Sequence, residues 1–66
     1  MINHVKSYRV VLGITQQELG DLLKVSRQTI FSIETGKYVP STILSLKISK
    51  LFNRPVEDIF ILEECD

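Results

Sequence analysis

Apolar residues recur along this chain with the three-and-four spacing of helices, most clearly between Thr15 and Lys37. Leu19, Leu22 and Leu23 form one stripe there, and Ile30 and Ile33 repeat the rule after a short interruption. The pattern predicts two short amphipathic helices joined by a turn at Lys24 and Val25. Thr15 and Glu18 stand in Thr-x-x-Glu register, a capping box that starts the first of them, and Ser26 is a good N-cap for the second. Upstream, a helix is expected over residues 2–12 that buries Ile2, Val5, Tyr8 or Arg9, and Leu12, and that Gly13 stops. Downstream, Gly36 ends the third helix, and the loop from Lys37 to Pro40 leads to Ser41, the expected N-cap of a fourth. Leu44, Ile48, Leu51 and Phe52 line one face of that helix, and Asn53 closes it. Pro55 suits the first turn of a short fifth helix, with Glu57 and Asp58 near its positive end and Val56, Ile59 and Phe60 turned inward. The expected fold is all-α, five compact helices in one domain over residues 1–66, without linker or repeat.

Two positions constrain how the central helices meet. Gly20 inside a helix costs about 1 kcal/mol relative to Ala. A close crossing explains it: the residue after Leu19 faces the crossing point and packs under Ile30. Val25, straight after the turn, anchors the next helix from its N-terminal side. At about 100° per residue, Arg27, Gln28, Phe31 and Ser32 share one face of that helix, opposite Thr29, Ile30 and Ile33. The chemistry of this face suits DNA bases. Arginine pairs bidentately with guanine O6 and N7, glutamine with adenine N6 and N7, and a phenylalanine meets a thymine methyl. Ser32 is short enough to let the helix sit deep. Gln16 combines a side-chain amide with the free N–H groups and positive end of its helix, which suits a phosphate. The competing readings are an ordinary solvated helix face and a helical hairpin in a small bundle.

The run Thr15 to Lys37, the preceding Arg9-Val10-Val11-Leu12-Gly13-Ile14 and the later Asn53-Arg54-Pro55-Val56-Glu57-Asp58-Ile59-Phe60 resemble the phage-repressor-like (Xre/Cro) helix-turn-helix family of prokaryotic transcription regulators. The resemblance spans nearly the whole chain and rests on Gly20, Val25, Ile30, Ile33, the Ile-Glu-x-Gly-Lys ending and the Glu-Asp-Ile-Phe close. It implies the compact lambda-repressor-like domain with its motif over about residues 15–35. It also implies a sequence-specific regulator of double-stranded DNA, a repressor in the first instance, that inserts its third helix (about 26–34) into the major groove. By the same resemblance Thr15, Ser26, Lys37, Ser41 and Thr42 join Gln16 in holding phosphates, and Arg9 pairs with Glu34 to clamp the first helix to the end of the third. Many members carry Gly where this chain has Lys24, because that turn residue adopts positive φ; Lys24 then carries modest strain or a slightly different turn.

Charge at first sight argues against DNA binding, since the chain is formally neutral. Its distribution reverses the argument. All eight Lys and Arg lie within residues 1–56 against three acids, a surplus of five, while the last ten residues hold the other five acids. A basic body can neutralise phosphates while an acidic end points away. Lys47 and Lys50 read as a solvated face. The chain length of 66 residues leaves a thin core, burying only about 60% of the unfolded surface. No apolar run is long enough to span a bilayer and no signal-peptide pattern opens the chain, so a cytoplasmic protein is expected. A single cysteine, Cys65, fits a reducing compartment. One histidine, His4, and one cysteine give neither metal spacing nor a nucleophile with its base, and the glycines are too scattered to cradle a phosphate. No enzyme, cofactor or metal is expected.

Family repressors commonly bind as dimers on two-fold operators, and Ile59-Phe60-Ile61-Leu62 is an apolar run that continues past the fifth helix. With little body left to cover it, this run is expected to form a strand or arm that pairs with its twin, or else to close the intramolecular core. Induction would come from a partner protein, proteolysis or a change in dimerisation. The alternative function is an antitoxin or adaptor that uses the same fold chiefly to bind a protein.

Overall fold

The computed structural model describes residues 1–66 as β1 (Ile2–Asn3), α1 (Val5–Leu12), α2 (Gln16–Leu23), α3 (Arg27–Glu34), α4 (Thr42–Phe52), α5 (Val56–Ile59) and β2 (Phe60–Ile61). Local chemistry sets most of these boundaries. The Thr15 hydroxyl accepts from the Glu18 N–H while the Glu18 carboxylate accepts from the Thr15 N–H, so the capping box is complete. Ser26 and Ser41 cap α3 and α4 by accepting from Thr29 and Leu44. Three helices end on left-handed residues, α1 on Gly13, α2 on Lys24 and α4 on Asn53. After α3, Gly36 adopts a φ of 78°, its N–H donates to the Ile33 carbonyl, and the Lys37 N–H donates to that of Ser32. That pair of bonds is a Schellman closure, which satisfies carbonyls the helix leaves open.

Leu19, Leu23, Ile30, Ile33, Leu44, Ile48 and Phe52 close the centre of the molecule, with Val5 from α1 and Ile59 and Phe60 from the C-terminal end. Tyr8 stacks on Phe52 with ring centroids 5.6 Å apart and takes the Arg54 guanidinium on its ring. Four of the sequence expectations need correction here. The helix expected over residues 2–12 begins at Val5, because Ile2 and Asn3 pair antiparallel with Ile61 and Phe60. Ile2 and Leu12 are about half exposed rather than buried, and Leu22 is 59% exposed at the rim between α2 and α4. What approaches Gly20 most closely is the turn and not Ile30: a Cβ there would stand 2.7 Å from the Val25 carbonyl oxygen and 3.4 Å from Ser26 backbone atoms. The C-terminal strand pairs with the chain's own β1, and Ile59 and Phe60 are spent in the core; of the four residues expected to meet a twin, Ile61 and Leu62 remain accessible.

The turn carries its strain where the family comparison placed it. Lys24 has φ 60° and ψ 42°, a left-handed conformation that costs an L-residue roughly 1–2 kcal/mol. Beside it, Val25 packs on the core. At the N-terminus, Asn3 makes two bonds that reach beyond the ribbon. Its side-chain amide donates to the Ile33 carbonyl at 2.9 Å and its Oδ1 accepts from the Val5 N–H at 3.3 Å, so one residue starts α1 and closes the end of α3.

Candidate nucleic-acid interface

The α3 helix owes its orientation to a carboxylate shared by three helices. Glu34, on the last turn, accepts from Arg9 Nε at 2.7 Å and Nη2 at 3.3 Å and from Gln16 Nε2 at 3.1 Å. The Arg9 Nη1 donates to the Ile14 carbonyl at 2.9 Å. The side chains of Arg9 and Glu34 are only 12% and 3% exposed, so the pair lies in a region where water screens it little. A carboxylate at a helix C-terminus opposes the helix dipole, and the fork of Arg9 offsets that cost. The result ties α1, the first residue of α2 and the end of α3 to one point.

From this anchor the outer face of α3 projects clear of the core. Arg27, Gln28 and Phe31 are exposed and Ser32 half-buried, while Ile30 and Ile33 are buried and Thr29 half-buried on the opposite side. Phe31 is 40% exposed, so part of its ring is open on this face. The polar side chains of Arg27 and Gln28 make no hydrogen bond or ion pair within the chain, so their donors are available to a ligand. Tyr38, from the loop after α3, joins Ser26, Gln28, Thr29 and Ser32 around a shallow open depression of 290 Å³. Its place beside this face was not read from the sequence; the only signal there was an aromatic beside Lys37.

The residues assigned to phosphates fall on the flanks of this face. Thr15, Ser26 and Ser41 each use a hydroxyl oxygen as a helix cap, and a capping hydroxyl keeps its own O–H to donate. In Ser26 that hydroxyl also shares a hydrogen bond with Thr29 at 2.9 Å. Gln16 gives one amide hydrogen to Glu34 and retains the second, a link to the ion pair that was not expected from the sequence. Lys37 and Thr42 are exposed at the two ends of the α3–α4 connection. His, Cys, Asp and Glu side chains nowhere gather in threes that could hold a metal, and no helix is long and apolar enough to cross a membrane.

Comparison with known proteins gives this geometry its context. Residues 5–59 match the helix-turn-helix family, from the start of α1 to the end of α5. The chain is 50% identical over 64 residues to the HTH-type transcriptional regulator YgzD of Bacillus subtilis, covering 97% of each chain. It is 52% identical over 64 residues to an HTH-type transcriptional regulator of Methanocaldococcus jannaschii, again covering 97% of both. A third such regulator, from Archaeoglobus fulgidus, is 44% identical over 64 residues, with 97% of this chain and 90% of the relative aligned. With a turn crossing Gly20, an outward polar face on α3 and a match that runs through all five helices, the chain belongs to the Xre-type helix-turn-helix family of DNA-binding transcriptional regulators.

Proposed function

We propose that this protein is a sequence-specific repressor that binds a pseudo-palindromic operator as a homodimer, with α3 lying in the major groove of each half-site. The observation that carries the reading is the uncovered face of Arg27, Gln28 and Phe31 at the N-terminal part of the second motif helix, where readers of this architecture dock. Arg27 pairs with guanine, Gln28 with adenine and Phe31 with a thymine methyl, and Ser32 lets the helix approach closely. Thr15, Gln16, Ser26, Lys37, Ser41 and Thr42 hold the phosphates on either side and fix the register. The second copy is met through Ile61 and Leu62, the accessible end of the apolar run.

Selection of bound duplexes from a random pool, followed by fluorescence anisotropy, tests the proposal. The expected winner has half-sites about one helical turn, or about 34 Å, apart. Gln28→Ala should then relax preference at one or two base pairs and cost about 1–3 kcal/mol at the selected site, whereas Gln16→Ala should weaken all duplexes alike. Binding no tighter than to random duplex would refute the function. Equal loss of discrimination in both variants would refute the division between reading and anchoring residues.

A further inference from the structure

Away from the outer face of α3, apolar side chains and unpaired positive charge coincide in a concave region between α2 and α4. Leu22, Leu23 and Leu51 line it with Lys24, Lys47 and Lys50 around a volume of 480 Å³, the buried Leu23 at its floor. None of these three lysines forms an ion pair within the chain, whose only salt bridges involve Arg9 and the N-terminal amine. Along α4 the same surface continues outward: Ile43, Leu46, Lys47 and Lys50 fall at helical spacing on one stripe, with Ile43 70% and Leu46 54% exposed. No acidic side chain lines either concavity. One of the lysines is held there at a conformational cost, since Lys24 takes a left-handed conformation that glycine would adopt without strain.

The same chain carries a segment of opposite chemistry with nothing covering it. Leu62 is 78% exposed immediately after β2, and it is followed by Glu63, Glu64 and Asp66. Glu63 and Asp66 bond the N-terminal amine at 3.0 Å, which folds the segment back as a turn and leaves Glu64 exposed without a partner. An exposed leucine beside an unpaired carboxylate matches a leucine-floored groove edged by unpaired lysines. Formal neutrality of the whole chain then has a physical sense: a surplus of five positive charges on residues 1–56 is balanced by an end that can be donated to a neighbour.

We propose that the groove between α2 and α4 receives the Leu62–Glu64 segment of a second copy, with Leu62 on the leucine floor and Glu64 among Lys24, Lys47 and Lys50. In a two-fold dimer the contact is made twice, each copy giving its end and receiving its partner's. The inference rests on the homodimer proposed above and names the surface that the accessible end of the apolar run meets. Because the attraction is partly electrostatic and exposed at its rim, salt weakens it.

Sedimentation equilibrium on the full chain without DNA tests it, using two variants at exposed positions whose folding is checked by circular dichroism. Lys47→Glu/Lys50→Glu places acids opposite Glu64, and Glu64→Lys places a lysine opposite lysines. Each variant alone should dimerise at least tenfold more weakly than the parent chain, and an equimolar mixture should recover the parent's affinity to within a few fold, since the swapped charges then meet. Recovery in the mixture cannot come from damage to either variant. A parent dimer that both variants retain undiminished would overturn this seat and leave the dimer standing. Weakened variants that stay apart when mixed would also overturn it, and a parent chain that is monomeric at high micromolar concentration would overturn the dimer and the seat together.

Discussion

Replacing Glu34 by alanine removes the acceptor of three hydrogen bonds at once. Arg9 Nε and Nη2 and Gln16 Nε2 all lose their partner, and only Nη1 keeps a bond, to the Ile14 carbonyl. The Arg9 side chain is 12% exposed, so most of a guanidinium charge is left without a counter-charge in a place that water reaches poorly. Breaking one partner of a buried pair costs about 3–5 kcal/mol, and the residual exposure of Arg9 puts the expected loss toward the lower value. A chain of this length holds roughly 3–10 kcal/mol of stability, so Glu34→Ala removes a large share of it. For a domain of this size the melting temperature should fall by roughly 12–30 °C in a calorimetric scan. A second variant separates the cost of an orphaned charge from the worth of the pair. In Arg9→Met/Glu34→Leu both charges are gone and apolar side chains fill the space, so stability should return close to that of the parent or exceed it. A melting temperature that barely changes in Glu34→Ala would refute the claim that this pair is buried and binding. A double variant as unstable as the single one would show that the cost lies in lost packing instead.

Two further perturbations probe the turn. Gly20→Ala gains about 1 kcal/mol of helix propensity but sets a methyl 2.7 Å from the Val25 carbonyl oxygen, backbone that cannot swing aside; with overpacking costing about 1–3 kcal/mol, chemical denaturation should show a net loss, and a stabilised variant would contradict the close crossing. Lys24→Gly releases roughly 1–2 kcal/mol of left-handed strain against roughly 0.5–1 kcal/mol of added unfolded-state entropy, so its denaturation midpoint should rise while self-association weakens; a lower midpoint would refute strain at this residue.

What the sequence conveyed about this fold was what lies within a few residues of its cause. The capping box at Thr15 and Glu18, the caps at Ser26 and Ser41 and the helix stops at Gly13 and Asn53 each join groups at most a turn apart, and all of them occur where the residue types place them. Features set by distant partners were not legible. Two-residue strands have no period to detect, so β1 reads as the start of a helix until Ile61 is seen beside Ile2. The three-and-four spacing that groups Leu22 with Leu19 and Leu23 defines a side of α2, and only the position of α4 decides that Leu22 stays open to solvent. Gly20 announces a close approach without naming the atom that approaches, which proved to be backbone. For the candidate interface, the helical period alone put Arg27, Gln28 and Phe31 on the outward face of α3. The bond of Gln16 to Glu34 needed three helices in place before it could be recognised.

Asn3 gives the terminal ribbon a reach beyond its size. The ribbon closes a loop of nearly the whole chain, and its ordering entropy must be met by two short strands, so it belongs among the parts of the molecule that open most readily. When it opens, the carbonyl of Ile33 at the end of α3 loses one of its two donors, the Asn3 amide, and keeps the Gly36 N–H. Opening of the ribbon and order in the last turn of α3 are therefore linked equilibria, and linkage is reciprocal. Any ligand that steadies α3 protects the amides of β1 and β2 from exchange by the same free energy with which a closed ribbon steadies α3. A change at residues 2–3 or 60–61 is thereby felt in the last turn of α3 through the single bond from Asn3 to the Ile33 carbonyl.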